Sequence, residues 1–129
     1  MKISDFWMSM IKEWKRNPNV GTFSWILHRV TGVLLVLYLF PHFWSIASSR
    51  WGAGAFDHKM QSYETPLIKF FEMGLVLLVA VHMINGLRIT IADFFFLTKS
   101  QRALFWIGVV LFLFVLAASI FAFFPKIFV

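Results

Sequence analysis

The sequence predicts an all-α integral membrane protein, with three transmembrane helices and an N-terminal amphipathic helix at the interface. The chain is 60% hydrophobic and only 14% charged, whereas soluble domains are about 25% charged. Its apolar residues fall in long blocks, each able to supply the roughly 20 residues that cross the hydrocarbon of a bilayer. Its 17 Phe and 6 Trp suit the bilayer interior and its boundaries. At 129 residues there is room for one domain, and residues 1–129 are read as a single membrane domain.

Composition also excludes several classes. The chain has no Cys, which rules out thiolate zinc or iron–sulfur sites and internal disulfides. The net charge of +6 does not indicate nucleic acid, because the basic residues lie between the apolar blocks, where they set orientation. Met1 to Asn19 is polar and amphipathic, without the apolar core of a cleavable signal. It also lacks the Arg- and Ser-rich, acid-poor character of a mitochondrial presequence. A bacterial inner (cytoplasmic) membrane is the expected location.

Residues 3–16 have the period of a short amphipathic helix. At about 100° per residue, Ile3, Phe6, Trp7, Met10 and Trp14 share one face, with Lys2, Asp5, Lys12, Lys15 and Arg16 opposite. Such a helix lies either in the cytoplasmic headgroup layer or against a partner subunit. Asn17-Pro18-Asn19 ends it, since proline cannot continue a helix interior and restricts the residue before it. The first span is expected over residues 23–48, with Val33 to Phe40 as its apolar centre and a kink at Pro41. Residues 49–65 read as a polar loop with glycine turns. Thr65 is a good N-cap and Pro66 a good first helical residue.

The second span is expected over residues 66–96, longer than a crossing needs, so its ends tilt or protrude and Lys69 and Glu72 snorkel. The short link of residues 97–102 makes the third span an antiparallel neighbour. That span, residues 103–124, has no charged residue, and Pro125-Lys126 closes it. Lys2, Lys12, Lys15, Arg16, Arg29, Arg88, Lys99 and Arg102 fall on one side, and Arg50, Lys59, Lys69 and Lys126 on the other. The positive-inside rule then puts the N-terminus in the cytoplasm and the C-terminus outside. No internal repeat suggests a transporter.

Polar residues within these spans are the functional signal. On the second span, His82, Asn85, Gly86, Ile89 and Asp93 share one face, while Arg88 points about 120° away. On the first, His28, Gly32 and His42 share a face, with Arg29 and Ser24 close by. Each feature alone fits a plain role: a helix-to-helix hydrogen bond, a close packing contact or a topogenic charge, which is the simpler reading of Arg88. Together they match a flat, bulky cofactor. Such a group needs an axial imidazole, a small residue one turn away, and cations for its propionates. His82 with Gly86, and Gly32 with His28 and Arg29, supply that set. A central intramembrane charge costs about 2.5–3.5 kcal/mol on insertion scales, which argues for a use.

Ser24-Trp25-Ile26-Leu27-His28-Arg29-Val30-Thr31-Gly32 resembles the S-x-x-x-H-R-x-[ST]-G segment of the cytochrome b subunit of succinate dehydrogenase (complex II). His82-x-x-x-Gly86-x-Arg88-x-x-x-x-Asp93 is similar to the haem-ligand helix of that family. Tyr63 to Pro66 and Glu72-Met73-Gly74 resemble its actinobacterial branch. The likeness covers residues 22–95.

The resemblance implies a small anchor subunit that works with a second membrane anchor subunit, an iron–sulfur subunit and a flavoprotein subunit. His82 would be one axial ligand of a haem b, the other coming from the partner anchor. His28 and Arg29 would meet the haem propionates, with Gly32 and Gly86 giving room. Arg29, Ser24, Trp25 and Asp93 would border the quinone (ubiquinone or menaquinone), with Asp93 either delivering protons or capping its helix. Here the sequence departs from many members, which carry the quinone-site Ser three residues before the His. That position is Trp25, and Ser24 is one residue earlier. His42 is a candidate ligand of a second haem on the outer side, or a partner for a carbonyl freed at Pro41. The rival readings are a quinol:fumarate reductase anchor and a haem-free structural anchor.

Overall fold

The computed structural model describes residues 3–128; Lys2, assigned above to the polar face of the first helix, lies outside them. The chain forms α1 (Ile3–Arg16), α2 (Val20–Ala47), α3 (Ala53–Gln61), α4 (Pro66–Phe94) and α5 (Gln101–Phe128), with 3-10 turns at Ser48–Trp51 and Thr98–Ser100. No strand occurs among the described residues. Three stretches are long and apolar enough to cross a membrane: Val20–Trp51, Pro66–Phe94 and Gln101–Phe128. The protein is a multi-pass membrane protein of three spans.

Local chemistry sets the helix ends. The Asn19 side chain accepts the Thr22 N–H at 2.8 Å, so α2 starts at Val20 rather than at residue 23. Thr65 caps α4 by accepting the Ile68 N–H at 3.4 Å, with Pro66 in the first turn. The far end of α4 closes with Leu97 N–H to Ala92 carbonyl at 2.8 Å. That closure holds Phe96 at φ 55°, a left-handed conformation usually given to glycine. The turn stops the helix at Phe94 rather than residue 96.

Two other expectations are corrected. Residues 49–65 are not simply a loop, because Ala53–Gln61 forms α3. Gly52, at φ 97°, makes the turn, whereas Gly54 sits inside the helix. The Ser45 and Tyr63 hydroxyls, 2.6 Å apart, tie the exit of α3 back to α2. Pro125 does not close the third span, and α5 continues through it to Phe128. A proline in the last turns of a helix removes one backbone bond and leaves the turns before it intact.

Packing is the reverse of a soluble core. α2, α4 and α5 expose large apolar side chains, such as Phe121 at 87%. The buried positions among the described residues are mostly small or polar: Ser24, Thr31, Ala80, Asn85, Ala92 and Ser119, with Met10 of α1. Lipid is as apolar as leucine, so spans associate by close backbone approach and interhelical hydrogen bonds rather than by expelling water. α4 and α5 run as antiparallel neighbours, and α2 packs on both.

α1 is held more lightly, through buried Met10 and an edge contact of Trp14 on Phe23 at 6.3 Å. Ile3 and Trp7 on the same face stay exposed.

The main interhelical bond joins α2 to α4. Ser24, only 1% exposed, donates its hydroxyl to the Asn85 side-chain oxygen. The Asn85 amide donates to the Ser24 carbonyl at 2.6 Å. A Ser24→Ala/Asn85→Ala double-mutant cycle, read by unfolding in detergent, should give a coupling of about 0.6–1.7 kcal/mol, the range of such bonds in membranes. Strictly additive losses would contradict the pairing.

A candidate cofactor site between the first and second spans

The site grows from two helical patterns. On α2, Ser24, His28, Thr31 and Gly32 fall on one stripe, and on α4, His82, Asn85 and Gly86 do the same. Set antiparallel, the stripes interlock. Ser24 meets Asn85, His28 lies over Gly86, and His82 lies over Gly32. A Cβ at Gly86 would stand 2.9 Å from His28 Cε1. One at Gly32 would stand 3.2 Å from His82 Cε1. Each glycine therefore makes room for the other helix's imidazole.

The two rings stack in the resulting gap, with centroids 4.0 Å apart and planes 14° from parallel. Thr31 Oγ1 lies 2.9 Å from His82 Nδ1. His82 Nε2 has no hydrogen bond among the described residues, and His28 Nδ1 is buried without a partner. Both rings are only partly buried, so the joint is reachable from outside the three-helix unit. His28 stands beside His82 rather than across from it. It cannot serve as the opposite axial ligand to the same metal. No cluster of three or more metal-binding side chains occurs among the described residues.

The residues that sequence reasoning grouped for quinone divide here. Trp25 and Arg29 come together, the guanidinium lying 4.3 Å from the Trp25 ring and 5.5 Å from Phe6 of α1. They line a recess at the α1–α2 corner with Ser9 and Glu13. Trp25 also lines a second recess, of about 230 Å³, with Asp93, Arg88 and Gln101. Trp25 thus lines both recesses, one with Arg29 and the other with Asp93. Ser24 stands apart, buried against Asn85. His42 is far from this joint, exposed and stacked on Tyr38 at 5.6 Å. It lines a separate recess with Ser45, Tyr63 and Glu72.

Sequence reasoning missed two residues. Arg88, read as a topogenic charge, has Nε and one terminal nitrogen buried without a partner among the described residues. It lies against Phe105 at 6.0 Å, and α5 supplies that cover, which no local signal announces. Thr31 was legible only as part of the motif. Its spacing of three residues from His28 was the available clue.

Fold and site together define a class: a three-span membrane protein with a histidine joint open on one side. A sequence profile described as succinate dehydrogenase/fumarate reductase transmembrane subunit matches residues 11–117. The chain belongs to that family. It is 33% identical over 88 residues to the succinate dehydrogenase 2 membrane subunit SdhC of Mycobacterium tuberculosis, across 67% of this chain and 65% of that protein. The chain thus spans just under two-thirds of that relative's length. It is 28% identical over 103 residues to the succinate dehydrogenase hydrophobic membrane anchor subunit of Halobacterium salinarum, across 79% of each.

The interlock gives a paired test. Gly86→Ala should destabilise the protein by about 1–3 kcal/mol through overpacking against His28. Gly74→Ala, on the same helix with no atom within 4 Å of a new Cβ, should be close to neutral. Thermal unfolding of both variants in detergent checks this, and equal losses would refute the glycine's role.

Proposed function

We propose that this chain is the cytochrome b membrane anchor of a succinate:quinone oxidoreductase, holding one haem b with a partner anchor subunit and forming one wall of the quinone site. The observation that carries this reading is the His28–His82 joint, in which each imidazole occupies the gap opposite a glycine of the other helix. The residues fit the group on three counts. His82 has Nδ1 engaged by Thr31 and Nε2 unbonded, the arrangement of an imidazole ligand oriented by its other nitrogen. His28 Nδ1 is buried without a partner, and a propionate oxygen would satisfy it. His28 stands alongside His82, so His82 alone of the two would hold the iron, with a partner subunit supplying any further ligand.

When bound, the haem supplies a one-electron store within the membrane. The chain's own residues do the rest. His82 would hold the iron. His28 and Arg29 carry positive or donor groups toward the propionates, and Gly32 and Gly86 keep the approach open. Arg29 donates to a quinone carbonyl oxygen, and the exposed part of the Trp25 face covers the quinone ring. Asp93, lining the neighbouring recess, moves protons to the reduced oxygens. Ser24 is committed to Asn85 and serves the helix joint. Succinate oxidation belongs to the flavoprotein partner, with an iron–sulfur partner passing electrons to the quinone. The excess of Lys and Arg at the α1 and α4–α5 ends supports a cytoplasmic N-terminus and an outer C-terminus in a bacterial inner membrane.

His82→Ala in the assembled complex should abolish the haem b absorbance band. His42→Ala should retain it, since His42 lies in a separate recess. A His82→Ala complex with an unchanged spectrum would sink the ligand assignment. Separately, Arg29→Met should lower succinate-driven quinone reduction by about 10-fold to 100-fold, the equivalent of a hydrogen bond from a charged group. Succinate-driven reduction of a soluble dye should stay unchanged, and parallel losses in both assays would remove Arg29 from the quinone site.

A further inference from the structure

Thr31 stands where a single hydroxyl must serve three neighbours. It is 4% exposed and sits in α2, one turn beyond Leu27 and His28. Its Oγ1 lies 2.8 Å from the Leu27 carbonyl oxygen, 3.0 Å from the His28 carbonyl oxygen and 2.9 Å from His82 Nδ1. A hydroxyl has one proton, and carbonyl oxygens only accept. If that proton went to His82, the hydroxyl's lone pairs would face two carbonyl oxygens within 3.0 Å, which is repulsive. The proton therefore points back to the α2 backbone. The contact with His82 then needs a donor on the imidazole, so Nδ1 carries the hydrogen. A neutral imidazole has one N–H, which leaves the lone pair on Nε2.

The ring is held against rotation as well. Gly32 lies beneath Cε1 and His28 stacks on the ring face at 4.0 Å. A half-turn of the ring would replace Nδ1 by a carbon and leave the buried hydroxyl facing it.

We propose that Thr31 is a positioning residue for haem, fixing the tautomer of His82 that ligates through Nε2 and raising the basicity of that nitrogen. This rests on the reading of His82 as an axial ligand. It adds a residue of this chain that does not itself touch the haem. An acceptor on Nδ1–H makes an imidazole a stronger donor to iron, which favours the ferric over the ferrous state. Removing the acceptor should therefore raise the haem reduction potential and weaken haem retention. Second-shell partners of this kind are worth about 10-fold to 100-fold in metal affinity. A tenfold change in the ratio of ferric to ferrous affinity corresponds to about 59 mV for one electron.

The test compares the assembled complex carrying Thr31→Val, Thr31→Ser and His82→Ala with the unmodified complex, by haem content and by potentiometric titration of the haem band. Valine keeps the shape and removes the hydroxyl; serine keeps the hydroxyl and loses a methyl. The expected result is a potential raised by a tenfold affinity ratio in Thr31→Val, or loss of its haem, with Thr31→Ser at the unmodified value. A Thr31→Val complex with unmodified potential and haem content would overturn the role. So would a Thr31→Ser complex altered as much as Thr31→Val, since packing would then be the cause. His82→Ala separates the two levels. If it loses haem while Thr31→Val is unchanged, only the Thr31 inference falls. If it keeps the haem band, the ligand reading falls and Thr31's role with it.

Discussion

The candidate site depends on how closely α2 can approach α4. In lipid the burial of apolar side chains gives no net drive for spans to associate. Close backbone contact and interhelical hydrogen bonds supply it instead. Gly32 and Gly86 permit the approach, and the Ser24–Asn85 pair bonds it at one end. The Thr31–His82 contact bonds it about two turns away. A larger residue at either glycine would push against an imidazole of the opposite helix. The small and polar residues are therefore buried, and the seventeen phenylalanines go mostly to the outside or to the α5 contact.

The same contact explains why two histidines can sit inside a membrane. The two rings stack on each other at 4.0 Å, filling the gaps that the two glycines leave. One of them has a hydrogen-bond partner at Nδ1 and the other has a buried Nδ1 without one. On the proposed reading, a joint of this kind is half of a site. It presents an unbonded ring nitrogen outward and has no opposing imidazole of its own. Arg88 has the same incomplete character nearer the α4–α5 turn, with donors buried and unanswered among the described residues.

The sequence revealed the spans and the faces, but not how the faces mesh. Three apolar blocks bounded by Asn19, Thr65 and the 97–102 link were readable because length, caps and breakers are local signals. The stripe of His82, Asn85 and Gly86 was readable because helical period is local too. What each glycine faces was not. Gly86 is one turn from His82 in sequence, which suggested room beside that ring, yet its space is used by His28. Gly32 likewise serves His82. That exchange depends on antiparallel register between segments about fifty residues apart, which no single-helix pattern contains. The same limit hid Arg88, which α2 and α5 cover together, and separated Ser24 from Trp25, which are adjacent in the chain but face different neighbours. α3 was missed for a different reason: two glycines were given the same meaning, and only Gly52 adopts the conformation that makes a turn.

The central claim is that the α2–α4 joint is half of one haem b site, completed by a partner subunit. A pyridine haemochrome assay on the purified, assembled complex tests it most directly, with the haem counted against the copies of this chain. The account predicts one haem b per copy. A count of zero would make the joint a structural contact only, and a count of two would require a second haem site that this joint cannot supply.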